Sequence, residues 1–310
     1  MGRFLFLTVD GLASGAVHAA FALSLVLIWR AARVVNFAQA AMSVAAAWVA
    51  WTVGSSVGGS SGGGWWLGLL LAPLAGAAIG VLVERTALHR LGPEAGERAH
   101  LDAVIVAFGV LMVVQAVLGM VFGLQYRTMP TPVSDRVLLA GGVPTTSAYR
   151  LLVVAAVGLL VAGLALFFTR TRLGRALRAS ASGPGPARLV GIDVTRMTTI
   201  AWALASALGG FAAMLVLPTG LGLHPNALDG VFVTAFTAAV LGGLDSAVGA
   251  VLGGLAVGLV VSYATGYAAD PNLAPVAVFA LLLVVLLVRP AGLLAAGHAH
   301  GAPSGKHGRA

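Results

Sequence analysis

Few side chains in this 310-residue sequence can carry chemistry. It has no cysteine, which excludes disulfides, thiol nucleophiles and thiolate metal sites. The single lysine, Lys306, lies near the end of the chain, and no Gly-x-x-x-x-Gly-Lys-Ser/Thr loop is present to cradle a nucleotide phosphate. Asp10, Glu84, Asp229 and Asp245 stand at the edges of apolar runs, and His18 is the one clear ionisable group inside such a run. A proton relay or a general acid–base pair needs facing carboxylates or histidines within the membrane. A lone histidine between Val17 and Ala19 is read instead as a neutral, hydrogen-bonded packing residue. The spacing of His298, His300 and His307 is read as accidental. No catalytic residue, metal site or cofactor is expected. Charge concentrates elsewhere, in Thr169–Arg196, where six arginines (Arg170, Arg172, Arg175, Arg178, Arg188, Arg196) stand against one acid, Asp193.

The elements that position these residues follow from hydropathy. The chain is 59% hydrophobic, only 9% charged, and has a mean hydropathy of +0.98. A soluble domain carries about 25% charged residues. The apolar runs are continuous rather than alternating, which excludes a transmembrane barrel and predicts an all-α polytopic membrane protein. Runs at about 11–29, 36–53, 65–83, 103–122, 151–168, 198–217, 231–241, 247–264 and 273–288 predict eight or nine transmembrane helices. The 231–241 run falls short of the ~20 residues of a straight span and is expected to be tilted, half-buried or re-entrant. Pro130, Pro132, Pro144 and Gly141-Gly142 make the 125–150 connection irregular or a turn-rich hairpin. The apolar start, Phe4–Val9, is too short for a signal peptide and reads as an interfacial lead-in. Residues 1–294 form the transmembrane domain, and 295–310, rich in Gly, Ala, His and Pro, are expected to be a disordered tail.

Net charge is +8. The cations lie in loops between spans, so they report membrane orientation and lipid headgroup contact rather than a nucleic-acid partner. With the N-terminus outside and the C-terminus cytoplasmic, inside loops hold 14 of the 18 Lys and Arg residues, including the whole 169–197 loop. Within the spans, Gly249 and Gly253, and Gly254 and Gly258, have the four-residue spacing that lets helix backbones approach closely. Asn36 and Gln39 are polar groups at membrane depth. They are read either as interhelical hydrogen-bonding residues or, with Phe37, as lining a translocation path or its cytoplasmic gate. With neither a nucleotide loop nor a relay, energy for active transport enters from outside the chain, or transport is passive.

Several stretches share one pattern. Gly11–Ala40 closes a long apolar run on Asn36, Phe37 and Ala38. Thr171, Leu173, Gly174, Arg178 and Ala179 are followed by Ala187, Gly191 and Ile192, and the chain approaches its end on Arg289, Pro290, Gly292 and Leu293. In this order and spacing the sequence resembles, over nearly its full length, the permeases of branched-chain amino acid ABC transporters of the LivH-like type. The family's start pattern has tyrosine where His18 stands, and histidine and glycine in place of Gln39 and Ala40.

The resemblance implies a multi-pass permease subunit in a bacterial cytoplasmic (inner) membrane. Its implied partners are a homologous second permease, two cytoplasmic ABC ATPases that hydrolyse the ATP, and an extracytoplasmic substrate-binding protein. The substrates would be branched-chain or related small amino acids, with urea or amides as near relatives. An ATPase-independent channel or secondary carrier is the alternative from another class, and a non-transporting membrane scaffold is a third. The 169–197 loop would be the element that docks the ATPase, with Arg175, Arg178, Ala187, Gly191 and Ile192 as its coupling residues. The run Ser182-Gly183-Pro184-Gly185-Pro186 departs from the family, because Gly and Pro break helices. It predicts a split element, with one helix ending near Ala181 and another starting near Pro186.

Overall fold

The computed structural model describes residues 2–59, 62–88, 96–133, 137–140, 143–267, 273–289 and 292, so the expected disordered tail, 295–310, lies outside the described residues. The fold is an all-α polytopic membrane bundle. Among the described residues, seven helices are long and apolar enough to cross a membrane, and two shorter apolar helices accompany them. The helices are α1 (Gly2–Ala32), α2 (Gln39–Gly58), α3 (Gly62–Val83), α4 (Gly96–Phe122), α5 (Ala148–Arg170), α6 (Arg172–Ser182), α7 (Pro184–Leu189), α8 (Val194–Val216), α9 (Asp229–Gly242), α10 (Ala247–Tyr267) and α11 (Ala274–Val288). A two-stranded antiparallel hairpin, β1 (Val137–Ala140) and β2 (Val143–Ser147), fills the proline-rich connection before α5.

Burial separates the centre from the rim. The apolar windows of α1 and α8 are 83% and 72% buried, whereas those of α4 and α5 are 11% and 17% buried. A helix apolar all round can sit in either place in a membrane, because lipid satisfies its outer face as well as protein does. What selects the centre is close approach. α1 carries Gly11 and Gly15, and a Cβ on either would meet the backbone of Leu259 or Leu255 on α10. The glycines of α10 serve two neighbours. A Cβ at Gly249 or Gly253 would overlap the carbonyls of Gly242 or Ala238 on α9, and one at Gly254 or Gly258 would overlap Ala19 or Gly15 on α1.

The two ends of the bundle differ in charge. Arg30, Arg33, Arg85, Arg289 and the arginines of 170–196 lie at the end where α1, α3, α5 and α11 finish. Arg33 bonds Asp245 there at 2.7 Å, tying the α1–α2 link to the α9–α10 turn. At the opposite end Arg150 pairs with Asp10, and Arg3 donates to the Gly266 carbonyl.

The short apolar run has its explanation here. α9 has 14 residues, or about 20 Å at 1.5 Å per residue. It ends beside Gly249, at the arginine-rich end. After α8 the chain makes a 3-10 turn at Leu217–Thr219, and Leu223 then forms an antiparallel bridge with Arg127. Leu223 and Leu228 are fully buried. The stretch from Leu217 to Leu228 therefore runs inward from the opposite end as irregular chain, and α9 begins within the bundle. Irregular backbone at membrane depth is tolerated where protein covers it.

Candidate functional sites

The arginine cluster folds into two short helices. Thr171 ends α5 and starts α6: its N–H donates to the Phe167 carbonyl at 3.1 Å, and its hydroxyl accepts from the Gly174 N–H at 2.9 Å. A Cβ at Gly174 would overlap the Phe167 carbonyl, so glycine is what allows α6 to fold back against the end of α5. Along α6, Gly174, Leu177 and Ser180 are buried at a three-residue interval, while Arg172, Arg175 and Arg178 are exposed at the same interval. Leu177 and Arg178 line a cleft with Leu27 and Arg30 of α1, Phe168 of α5 and Ala201 of α8.

α6 ends at Ser182 and α7 starts at Pro184, so the expected split is present and lies one to two residues from the positions the Gly-Pro run suggests. Proline at the first helical position costs nothing, since its missing N–H has no partner there. α7 closes in a Schellman turn. Ile192 N–H donates to the Ala187 carbonyl at 3.0 Å and Gly191 N–H to the Arg188 carbonyl at 3.1 Å. Gly191 has φ +82°, the left-handed region that favours glycine. The Ala187–Gly191–Ile192 pattern is thus the backbone chemistry of a helix stop. Ala187 is buried and Ile192 half-buried, while Leu189 and Val190 stand out, 89% and 76% exposed. Asp193 then caps α8, accepting from the Arg196 N–H at 3.0 Å and pairing with the Arg196 guanidinium at 3.0 Å.

The second candidate region is the link between α1 and α2. Arg33 has φ 55°, a left-handed residue that ends α1. Asn36 forms an Asx turn, its Oδ1 accepting from the Ala38 N–H at 3.1 Å, which starts α2. Its Nδ2 donates to Gln39 Oε1 at 2.9 Å, and Gln39 Nε2 donates to the Ala205 carbonyl of α8 at 3.1 Å. Asn36 and Gln39 are both buried, and these bonds join α2 to α8. Phe37 points the other way. It stacks on Phe108 of α4 at 4.7 Å between centroids and meets Phe232 and Phe236 of α9 at 6.0 and 6.4 Å. It also lines an open cavity of about 550 Å³ with Trp29, Arg33 and Val104.

Three polar residues of this neighbourhood drew no role from the sequence. Asp229, read there as a span-edge charge, is the first residue of α9, and Gln115 of α4 donates to both of its carboxylate oxygens at 3.2 and 3.3 Å. Thr234, about one turn further on, bonds His18 Nδ1 at 3.1 Å. His18 is buried, and the hydroxyl gives it the partner a packing histidine needs. The signal in the sequence for the aromatic cluster was the spacing of Phe232 and Phe236 on one helix face. Among the described residues, no group of three or more His, Asp or Glu side chains is placed to hold a metal.

Comparison with known proteins identifies what these elements belong to. Residues 7–287 match the family model described as branched-chain amino acid transport system / permease component. The chain is 30% identical over 300 residues to BraD, a high-affinity branched-chain amino acid transport system permease protein of Pseudomonas aeruginosa, covering 92% of this chain and 94% of that one. It is 26% identical over 304 residues to LivH of Escherichia coli K12, covering 94% and 95%. PsaBC from Streptococcus pneumoniae in complex with Fab aligns with 93% of the chain at a TM-score of 0.43 and 12% identity, too distant to add to the assignment. With a family match spanning most of its length, a relative at 30% identity and an apolar helical bundle, the chain belongs to the family of branched-chain amino acid transport system permease components.

Proposed function

We propose that the protein is the permease subunit of an ATP-binding-cassette importer for branched-chain or related small amino acids, and that 169–197 is its coupling element. The reading places it in a bacterial cytoplasmic membrane. Its partners are a homologous second permease, two cytoplasmic ATPase subunits that hydrolyse the ATP, and an extracytoplasmic binding protein that sets most of the specificity. The observation that carries the coupling role is the exposure of Leu189 and Val190 on a rigidly capped turn, beside exposed Arg175 and Arg178. The bias of cations to one side supports a cytoplasmic position for that turn. Two large apolar side chains there, flanked by arginines, suit an apolar groove with an acidic rim on a partner. Arg30 and Arg178 share one cleft, so a partner carboxylate entering it would relieve a like-charge pair.

The test is reconstitution of the complex in vesicles with the binding protein and ATP. Leu189→Glu and Arg178→Glu should each abolish binding-protein-stimulated ATP hydrolysis while the permease stays in the membrane. Stimulation equal to the unaltered protein in both variants sinks the coupling assignment. Leucine flux through the purified chain without any ATPase would favour a passive channel or carrier instead.

A further inference from the structure

The face of α9 that looks toward α4 changes character along its length. At its first residue Asp229 is exposed, held by Gln115 from α4 and by Asn226 Nδ2 at 3.1 Å. This carboxylate lies about 20 Å from the arginine-rich end of the helix, by the rise of 13 residues. Gln115 sits seven residues, or about 10 Å, inside the opposite end of α4, which matches that depth across a hydrocarbon core of about 30 Å. Next along the face come Phe232 and Phe236, their rings 6.3 Å apart, gathered with Phe108 around Phe37. Beyond Phe37 the open cavity leads to the arginine-rich end.

An exposed carboxylate at this depth does not face lipid. A charge in hydrocarbon costs several kcal/mol, and such residues turn to a bundle interior or to a water-filled cavity. Nor is the face built to receive another helix, since close helix contacts in membranes use small residues and α9 presents Asp229, Phe232, Val233 and Phe236. The small-residue face of α9, with Ala238 and Gly242, is already taken by α10.

We propose that Asp229, oriented by Gln115 and Asn226, is a transient binding site for the ammonium group of an amino-acid substrate on its way through the membrane. The Phe37–Phe108–Phe232–Phe236 cluster receives the branched apolar side chain and closes the path on the cytoplasmic side. The proposal rests on the importer reading above and adds the site within the permease. The irregular stretch before α9, Leu217–Leu228, is what makes it possible: a helix continued through it would leave no irregular entry to position 229. Among the described residues the partners of this carboxylate are two neutral amides rather than a cation, so it can accept an ammonium and release it.

The test uses the assembled complex in vesicles, with leucine-loaded binding protein and ATP. Because the chain has no cysteine, single cysteines can be introduced without other changes. Val233→Cys, beside the column and 38% exposed, should react with a charged, water-soluble thiol reagent, and leucine turnover should slow that reaction. Leu283→Cys, 61% exposed on the apolar α11, serves as the lipid-facing reference and should react at least about tenfold more slowly. Asp229→Asn should lower leucine uptake by about tenfold or more, and Asp229→Glu should retain more uptake than Asp229→Asn, because the charge survives. The proposal is overturned if Val233→Cys reacts no faster than Leu283→Cys, if leucine leaves its reaction unchanged, or if Asp229→Asn imports at the normal rate. Failure of the unaltered complex to import any branched-chain amino acid removes the importer reading itself, whereas normal import with an indifferent Asp229→Asn removes the site alone.

Discussion

Replacing Gly191 by alanine isolates the contribution of the α7 turn. At φ +82° an alanine Cβ crowds the backbone, a penalty of about 1–2 kcal/mol for a single left-handed residue. Beyond residue 191 and its two chain neighbours, no heavy atom among the described residues lies within 4 Å of where that Cβ would be, so no packing clash adds to it. The cheapest escape is for Gly191→Ala to open the two bonds of the turn, from Ile192 to Ala187 and from Gly191 to Arg188, and let Leu189 and Val190 lose their fixed presentation. A partner that binds the ordered turn must then restore it, at about the same 1–2 kcal/mol. That predicts ATPase binding weaker by a factor of about 5–30. The measurement is the affinity of the detergent-purified permease for its ATPase, read alongside binding-protein-stimulated hydrolysis. Gly191→Asn is the decisive comparison, since asparagine tolerates the left-handed region and should bind several-fold better than Gly191→Ala. Gly191→Val, β-branched, should be worse than alanine. If Gly191→Ala binds like the unaltered protein, or Gly191→Asn is impaired as severely as Gly191→Ala, the turn does not act through its backbone conformation and the reasoning fails.

Four further substitutions test packing, hydrogen bonding and ion pairing. Gly253→Val drives a side chain into the Ala238 carbonyl, which is rigid helix backbone, so α9 and α10 must separate and the variant should lose thermal stability in detergent. Gly158→Val on α5, where nothing lies within 4 Å, should melt like the unaltered protein. Gln39→Leu removes both the donor to the Ala205 carbonyl and the acceptor for Asn36, and should cost about 1–2 kcal/mol in a denaturation series, more than a single interhelical bond in a membrane usually gives. Arg33→Ala breaks an ion pair whose side chains are 51% and 56% exposed, and should change stability by less than about 1 kcal/mol, with the difference shrinking as salt is added.

Legibility in the sequence followed the range of the physics. The spans were readable because bilayer thickness imposes a length on any apolar run, and the arginine cluster because charge cannot enter lipid. The split between α6 and α7 was readable because Gly and Pro act locally, on their own φ and N–H. The depth of Asp229 was not readable. Its local sequence, apolar beyond and polar before, is that of an ordinary span edge, and only the bridge from Arg127 to Leu223, together with Gln115, shows that the chain turned inward first. The same holds for Gln39, whose polarity at membrane depth was visible but whose partner at Ala205 is 166 residues away. Ala187 shows a third case. Its position in the pattern is local information, but burial is a property of the packed bundle, and the outward-facing residues of that turn are Leu189 and Val190.

The helix common to these sites is α1. Near its end Leu27 and Arg30 form one wall of the cleft under α6. At mid-length His18 bonds Thr234, about one turn past Asp229 on α9. On its other side Gly15 meets Leu255 and Gly258 of α10 so closely that neither helix has room to move toward the other. Close-packed interiors are stiff, and a helix clamped in this way moves with its neighbours or by sliding along them. A force applied at α6 therefore meets α1 early on its way to α9, and a side chain at position 15 larger than glycine should affect the bundle as a whole rather than one site. This gives the early apolar run, chemically the least distinctive part of the chain, its mechanical position: it is the wall shared by the element proposed to dock the ATPase and the helix that carries the carboxylate.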